Sequence, residues 1–406
     1  MNKYAGWMGP LAILTLVVML WYWPATLLGR LPTEGTVTLG DLPLYSFFAS
    51  AMDSGRVPLW NELSGFGSPA LAEGRIGVCY PFHRLLFSLL DVSHAFIVSL
   101  ILHTVLAGWL ASLCARSFGQ SRTASLLVGL VYCGQGFFIT QTDHVWAWST
   151  ACWLPLAVLA TRRWLQDGTW AWLVALSGVL GLQLLAGHFQ IAFFTLVILL
   201  LTGLLTVLLN PDRRWQSAGR GVLVLLAIAT GLVLASIQLA PTAELLLRSD
   251  LRGRGAEYLQ SFSLPPVHLV LGHLAPGCLA QHASTDPTLR VPFRSSAGES
   301  LCYVGLLPWA LATWSLLACW RERDVRLLGL LLACSLAFSL GRFLPGSDWL
   351  LQLPGFALGF VELQIGDDDR GAVLRQLLDD GQSQSLSRAG HHGDGAFQGV
   401  GCRIYT

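Results

Sequence analysis

Charged residues are scarce in this chain, and their scarcity excludes most soluble folds. Asp, Glu, Lys and Arg make up 12% of the 406 residues, against roughly 25% in ordinary soluble domains. The formal net charge is only +1, whereas nucleic-acid binding requires clusters of Lys and Arg that neutralise phosphates. The composition therefore argues against both a soluble protein and a nucleic-acid partner.

Motifs of metal sites and of common hydrolases are missing as well. The nine cysteines show no Cys-X-X-Cys or Cys/His zinc spacing, and most lie within apolar runs, where cysteine behaves as a small hydrophobe. No Gly-rich phosphate loop, Gly-X-Ser-X-Gly motif or His-Glu-X-X-His motif occurs. The sequence therefore gives no support to a metal centre, a disulfide framework or a motif-defined hydrolase.

Long apolar runs are what the chain has in abundance. Hydrophobic residues make up 53% of it, with 16 Trp and 19 Phe, and the mean hydropathy is +0.57. A membrane-spanning helix needs about 20 mainly apolar residues. Nine segments qualify: 5–28, 94–115, 123–140, 146–161, 169–186, 189–209, 220–241, 300–320 and 325–341. We therefore predict an all-α polytopic membrane protein with about nine transmembrane helices, the first of them retained rather than cleaved as a signal peptide.

The short connections predict the orientation, because Lys and Arg accumulate in cytoplasmic loops. Basic residues occur before the first span and in alternate connections, namely Lys3, Arg116, Arg122, Arg162, Arg163, Arg213, Arg214, Arg220, Arg321, Arg323 and Arg326. The other short connections, near 141–145 and 187–188, contain neither Lys nor Arg. This pattern predicts a multi-pass protein of the cytoplasmic membrane with a cytoplasmic N-terminus. The long loops 29–80 and 242–298 would then lie on the outer face.

The first long loop has an unusual composition for a connection. Residues 36–83 contain several prolines, glycines and aromatic residues but few charges, whereas a solvated linker is richer in charge and poorer in Trp, Tyr and Phe. We therefore predict a large folded outer loop within a transmembrane domain of residues 1–360. Residues 361–406 are polar and predict a separate tail, which is either disordered or the product of a reading-frame change.

Asp41 is the sharpest candidate for chemistry. It lies a short distance beyond the first span, where a carboxylate can act as general base or hold a metal that binds a phosphate. The alternative is structural, since Asp41 precedes Leu-Pro-Leu-Tyr and fits a helix N-cap.

Further candidates lie in the first loop and at the ends of other spans on the same predicted face. Ionisable and polar groups at such positions usually face a cavity or a partner. Aromatic and amide groups suit a sugar, and arginines suit a phosphate. The candidate substrate-binding residues are Trp60, Asn61, Asp143, His144, His188, Gln190, Gln238, Glu244, Arg248 and Arg252. Secondary candidates in the first loop are Asp53, Arg56, Glu62 and Glu73.

Several short motifs resemble those of a known family. They are Gly40-Asp41-Leu42-Pro43, Gly55-Arg56-Val57-Pro58-Leu59-Trp60-Asn61, Gly65-Phe66-Gly67-Ser68-Pro69, Tyr80-Pro81, Gly187-His188-Phe189-Gln190, Gln238-Leu239-Ala240-Pro241, Tyr303-Val304-Gly305-Leu306 and Leu353-Pro354-Gly355-Phe356. With these motifs the chain resembles the YfhO-like bacterial membrane proteins, which have the C-type glycosyltransferase (GT-C) superfold. The resemblance covers roughly residues 5–360.

The resemblance implies an integral-membrane, inverting glycosyltransferase of the cell envelope. Such an enzyme transfers a sugar from a polyprenyl-phosphate-linked donor to a lipid or glycan acceptor at the outer face. It also implies that Asp41 is the catalytic or metal-proximal acid, with Mg²⁺ or Mn²⁺ as a plausible cofactor. Family members continue with a Phe-Arg-Ala-Pro-type motif where this chain becomes polar, which favours the frame-change interpretation of 361–406.

Two other function classes remain open at this point. A transporter or flippase of lipid-linked saccharides would use His144, His188 and Gln238 along a pathway. It would be expected to show inverted repeats and charged residues near the membrane midplane. A non-catalytic envelope assembly protein would use Asp41 only as a helix cap. An Asp41→Asn replacement separates these classes, because Asn preserves a cap but not a general base.

Overall fold

The apolar runs of the sequence fold into α-helices. The structure, a computed structural model, describes residues 5–31, 37–63, 67–142, 144–248, 263–274 and 301–346, and these ranges contain no β-strand. The chain divides into two units, Met1–Glu362 and Leu363–Thr406, and every described residue belongs to the first. The predicted all-α fold is confirmed, whereas the predicted tail 361–406 lies outside the described residues.

The helices follow the order of the predicted spans. They are α1 (Ala5–Trp21), α2 (Trp23–Leu28), α3 (Leu42–Asp53), α4 (Ala70–Glu73), α5 (Pro81–Leu89), α6 (Val92–Ser117), α7 (Arg122–Cys133), α8 (Gly136–Thr140), α9 (Val145–Ala151), α10 (Leu154–Asp167), α11 (Trp170–Leu185), α12 (Phe189–Leu208), α13 (Arg214–Leu234), α14 (Ser236–Arg248), α15 (Pro266–Leu274), α16 (Leu306–Ala318) and α17 (Arg323–Leu340). One turn of π-helix covers Val37–Asp41, and 3₁₀ turns cover Pro211–Arg213 and Gly341–Phe343.

Four helical stretches in the described ranges are long and apolar enough to cross a membrane. They are Val92–Ser117, Phe189–Leu208, Pro211–Leu234 and Arg323–Phe343. Shorter apolar helices are Gly9–Trp21, Arg122–Cys133, Trp170–Leu185 and Leu306–Ala318. These findings confirm a helical membrane protein, while the number of nine spans stays a prediction.

Several predicted spans consist of two helices placed end to end. The run 5–28 breaks at Tyr22, and the run 146–161 breaks before α10. In both cases a proline, Pro24 or Pro155, occupies the first turn of the following helix. Proline is tolerated there because its missing N–H would have no partner within the helix. The sequence windows therefore did not reveal the breaks within the apolar runs.

Helix α6 lies at the centre of the bundle and packs against α1, α7, α9 and α10. Its contact with α7 is close because both helices place small residues at the interface. A Cβ atom at Gly129 would lie 2.4 Å from the carbonyl oxygen of Gly108 and 2.2 Å from Ser112 Oγ. Gly129 therefore allows the two backbones to touch.

The first long loop contributes to the same hydrophobic core as the helices. Tyr45 and Phe48 of α3 are fully buried, as are Val37 and Val78 on either side. Asn61 and Ser68 form an isolated antiparallel bridge within the loop. The described part of this loop, 37–63 and 67–80, is thus folded into the protein. Side chains at its ends are held in fixed positions against the bundle.

Candidate functional site

Asp41 is buried at the junction between the π-helical turn and α3. It occupies the N-cap position, but with helical dihedral angles (φ −78°, ψ −45°), and its side chain accepts no capping hydrogen bond from the described residues. Its exposed fraction is only 1%. The capping explanation for an acid at this position therefore fails.

Arg75 pairs with the buried carboxylate. Its Nη2 donates a hydrogen bond to Asp41 Oδ1 over 3.2 Å, and its Cζ lies 4.2 Å from the centre of the Trp146 ring. The Arg75 side chain is 13% exposed, so it forms the more open side of the pair. A buried carboxylate is tolerated only with such a partner, and the aromatic face adds a favourable interaction with the cation.

Helix α14 holds the segment that carries Arg75. Gln238 Nε2 donates to the carbonyl oxygen of Leu71 over 2.6 Å, and Thr242 Oγ1 donates to that of Ala72 over 2.7 Å. Gln238 is fully buried. Its structural position therefore supports a role in fixing Arg75 through the loop backbone.

The turn between α11 and α12 closes on the same segment. Gly187 has φ +101°, and a Cβ atom there would lie 2.1 Å from the carbonyl oxygen of Gly74. Gly74 itself has φ +77°, and its Cβ atom would lie 2.8 Å from the Phe189 ring. Only glycine fits two backbones that approach so closely at positive φ. The Gly-His-Phe-Gln motif thus packs directly on the loop.

Two histidines lie beside the ion pair. The His188 backbone N–H donates to Thr150 Oγ1 over 3.3 Å. Burial lowers the pKa of His188 to about 3, with further lowering by the charges of His144 and Arg75. The His144 ring meets Trp146 edge-on, with the ring centres 5.1 Å apart. His188 is therefore a neutral imidazole at neutral pH, able to donate or accept one hydrogen bond at each nitrogen according to its tautomer.

Tyr45 completes this group from the α3 side. Its ring stacks on Phe87 at a centre-to-centre distance of 4.6 Å. Burial raises the pKa of Tyr45 well above its ordinary value, the charge of Asp41 raises it further, and that of Arg75 lowers it. The hydroxyl thus stays protonated near the ion pair. We call this group the Asp41 cluster: Asp41, Tyr45, Arg75, His144, Trp146 and His188.

Local contacts within the first loop fix the positions of Trp60 and Asn61. The Asn61 backbone pairs with Ser68, and Asn61 Oδ1 accepts a hydrogen bond from the Leu63 N–H over 3.0 Å. A Cβ atom at Gly67, whose φ is +95°, would lie 2.3 Å from Trp60 Nε1. Trp60 nevertheless keeps 53% of its surface exposed. It presents a ring that a sugar could stack on, whereas the Asn61 side chain serves the turn.

The remaining predicted site residues are spread more widely. Gln190 is partly buried at the start of α12. Glu244 and Arg248 form an exposed surface pair on α14, 2.8 Å apart. Asp143 and Arg252 lie outside the described residues. Among the secondary candidates, Asp53, Arg56 and Glu62 are exposed and Glu73 is buried.

The described side chains around Asp41 form no cluster of metal ligands. Metal sites for Mg²⁺ or Mn²⁺ combine several oxygen ligands, but no group of three or more His, Cys, Asp or Glu side chains comes together in the described ranges. The Arg75 guanidinium lies against the carboxylate instead. We therefore assign no step to a metal here.

Sequence reasoning missed Arg75 and Tyr45, and it treated Trp146 only as a neighbour of His144. Arg75 carried one signal, since basic residues are rare in the first loop and Arg75 directly follows a glycine. That signal does not reveal its partner 34 residues away.

Comparison with known proteins identifies no relative: no protein-family model matches the chain, and no curated protein or solved structure is significantly similar to it.

Proposed function

We propose that this protein is an integral-membrane glycosyltransferase. It transfers a sugar from a polyprenyl-phosphate-linked donor to a lipid or glycan acceptor of the cell envelope. In this proposal the fold is GT-C-like, as in the YfhO-like proteins, with nine transmembrane spans and a cytoplasmic N-terminus. Each of the nine apolar runs contains at least one described helix, whereas α3, α4, α5 and α15 lie outside these runs. This distribution is compatible with the proposed topology.

The observation that carries the proposal is the buried Asp41–Arg75 pair. A charged pair costs desolvation free energy, and well-packed apolar residues would often serve stability equally well. Here α14 and the Gly187 turn both hold the segment behind Arg75. These contacts fix the position of one buried acid, and two histidines lie beside the ion pair. Such an arrangement is typical of a functional site.

The chemistry assigned to Asp41 is general-base catalysis. The Asp41 carboxylate takes the proton of an acceptor hydroxyl, and the oxygen attacks the anomeric carbon of the donor. The bond from that carbon to the lipid phosphate breaks, and the phosphate leaves with the electron pair. This single displacement inverts the anomeric centre. Arg75 is the positioning residue that orients the carboxylate.

The leaving phosphate needs hydrogen-bond donors and positive charge. Our candidates are Arg248, Arg252 and the neutral imidazole of His188. Trp60 provides an exposed ring for the sugar or acceptor, and His144 and Gln190 are further candidates for substrate contacts. These residue roles belong to the proposal.

An Asp41→Asn replacement tests the proposal. We would compare envelope glycans and lipid-linked sugars of cells carrying the wild-type gene, the deletion, Asp41→Asn and Asp167→Asn at matched protein levels. Asp167 is an exposed acid in a surface pair with Arg163, so it serves as the matched control. Loss of one sugar modification in Asp41→Asn and in the deletion, but not in Asp167→Asn, supports the transferase.

Two outcomes contradict it. A normal glycan profile in Asp41→Asn, with an altered one in the deletion, removes the catalytic role of Asp41 and favours transport or assembly. Accumulation of an intact lipid-linked saccharide on the inner leaflet in the deletion favours a flippase.

A further inference from the structure

Helix α5 is too short to span a membrane and lies outside the nine apolar runs. It covers nine residues, Pro81–Leu89, which at about 1.5 Å each extend roughly 14 Å, against about 30 Å for a bilayer core. Side chains four residues apart share one side of a helix. Three such pairs divide α5 into three sides that have different surroundings.

The first side of α5 packs on the Asp41 cluster. His83 and Phe87 are buried. The Phe87 ring stacks on Tyr45 with the ring centres 4.6 Å apart, and the His83 ring meets Tyr45 edge-on at 6.0 Å. His83 Nδ1 donates a hydrogen bond to the carbonyl oxygen of Ile76 over 2.9 Å. These contacts fix the position of α5 on the protein.

The second side of α5 is polar. Arg84 and Ser88 are both exposed, and the Ser88 hydroxyl donates to the carbonyl oxygen of Leu85 over 3.1 Å. A charged guanidinium is strongly favoured in water or among lipid headgroups over hydrocarbon. This side therefore faces the aqueous phase.

The third side of α5 is apolar and is nevertheless uncovered by the protein. Leu85 is 58% exposed and Leu89 is 71% exposed. A helix on the surface of a soluble protein needs one apolar side, which packs on the core, and His83 with Phe87 already forms that side. A second apolar side left exposed indicates contact with another apolar environment.

The start of α6 indicates where the membrane surface lies. Asp91 caps α6 by accepting a hydrogen bond from the His94 N–H over 3.2 Å, and the two side chains are 64% and 68% exposed. Such polar groups remain at the membrane surface. Four-residue steps along α6 from His94 lead to the exposed side chains of Val98 and Leu102. This stripe changes from polar to apolar within one turn, so the surface crosses α6 near its first turn.

The end of α5 lies at the same level, because only Leu90 and Asp91 separate it from α6. Helix α6 is long and apolar enough to cross a membrane. The exposed leucines of α5 therefore continue the apolar surface that begins on α6. This continuity favours lipid over a separate partner protein as the environment of the third side.

We propose that α5 is an interfacial helix, with Leu85 and Leu89 inserted into the boundary between headgroups and acyl chains. The leaflet is the one on the side of the Asp41 cluster. Helices that lie in a membrane surface place leucines in the lipid and basic residues at the headgroups, and Arg84 occupies the corresponding polar side. The proposal does not rest on the glycosyltransferase proposal, because it uses none of the residues assigned to that reaction.

The proposed position of α5 also determines the depth of the Asp41 cluster. Tyr45 of the cluster contacts one side of α5, while the lipid lies on another side of the same helix. A helix with its side chains is about 10–12 Å across. The cluster would then lie within roughly one helix diameter of the lipid, where a membrane-anchored ligand reaches it without leaving the bilayer surface.

Photocrosslinking of the full-length protein in phosphatidylcholine vesicles tests the proposal. The photoreactive residue p-benzoylphenylalanine replaces Leu85, Leu89, Ser88 or Leu204, one at a time. Leu204 is 54% exposed within the spanning helix Phe189–Leu208 and is the positive control. Mass spectrometry then identifies what is attached. We expect adducts with the mass of one phospholipid at Leu85, Leu89 and Leu204, and a several-fold lower yield at Ser88.

Three outcomes would overturn the proposal. A crosslinked dimer in place of the lipid adduct at Leu89 would assign the third side to a second copy of the chain. Equal lipid yields at Ser88 and Leu89 would remove the proposed orientation of α5. Absence of adducts at both leucines, with a normal yield at Leu204, would place the third side in water.

Thiol labelling provides a second measurement with smaller substitutions. Leu89→Cys and Ser88→Cys are treated in vesicles with a charged, membrane-impermeant maleimide, and the labelling of the wild type is subtracted. Leu89→Cys should react about tenfold more slowly, because a thiol in apolar surroundings ionises less readily. Both side chains are exposed, so neither variant removes a contact of the core. Equal rates in the two variants would refute the insertion of Leu89 into lipid.

Discussion

The two ends of the bundle each place an arginine between a carboxylate and an aromatic ring, but they expose the pairs differently. Arg75 lies on Trp146 and makes one bond to Asp41, whose side chain is 1% exposed. Arg162 lies 3.8 Å from the centre of the Phe118 ring and makes two bonds to Asp324, which is 42% exposed. The better bonding geometry thus belongs to the more exposed pair.

This difference indicates that the burial of the carboxylate, rather than the number of hydrogen bonds, determines the role of each ion pair. A half-exposed carboxylate regains water when its partner is removed, whereas a buried one does not. The Arg162 pair therefore serves mainly to attach α17 to the bundle. The Asp41 pair keeps a charged group in a buried position, and this burial is why we propose a function for it.

Breaking the buried pair should have the largest effect. We expect Arg75→Leu to lower the free energy of unfolding by about 3–5 kcal/mol, because it leaves a buried carboxylate without its cation. The measurement is denaturant or thermal unfolding in mixed micelles. The matched control is Arg30→Leu, an exposed arginine at the start of the same loop.

The double variant Asp41→Asn/Arg75→Leu sharpens the result. It removes both charges and should recover a large part of the lost stability. A double variant as unstable as Arg75→Leu alone would show that the guanidinium acts by packing on Trp146 and not by pairing with Asp41.

Adding a Cβ atom where the Gly187 turn packs against the first loop should have the next largest effect. Gly187→Ala places a Cβ atom against the Gly74 carbonyl at positive φ, and we expect a loss of about 2–3 kcal/mol. Gly203→Ala is the control, because it lies within α12 with no other atom within 4 Å of the added Cβ. It should stabilise by roughly 0.5–1 kcal/mol. Equal effects of the two variants would contradict the close approach.

The sequence predicted the features that depend on local pattern. Apolar windows located the long helices but not their breaks, since each window contains its own evidence of apolar length only. Asp41 stood out because acids are rare near a span. Arg75 was not predictable, because its role depends on a contact with Asp41 across 34 residues. The fixing of Arg75 by Gln238 depends on contacts across 167 residues. Neither contact leaves a periodic trace in the sequence.

Breaking the half-exposed pair should cost less than either change at the Asp41 end. We expect Arg162→Leu to lower the free energy of unfolding by about 1.5–2 kcal/mol, because two charge-assisted bonds are lost while Asp324 regains water. The neighbouring Arg163 forms only an exposed 3.8 Å pair with Asp167, so Arg163→Leu should change it by about 0.5 kcal/mol or less. A loss above that of Arg75→Leu would reverse the comparison between the two ends.

The smallest effect should be a pH dependence at His188. Its folded-state pKa is about 3, below the value of about 6.5 expected when unfolded. The unfolded chain therefore binds a proton first as the pH falls, and stability is lost between about pH 6.5 and pH 3. From pH 7 to pH 5.5 we expect His188 to contribute a loss of about 1 kcal/mol in the free energy of unfolding.

The variant His188→Gln should remove that contribution. The control His94→Gln replaces a side chain that is 68% exposed and should retain it. An identical pH slope in His188→Gln and wild type would mean that the imidazole is hydrated rather than desolvated beside Arg75 and His144, and the Asp41 cluster would then be open to water.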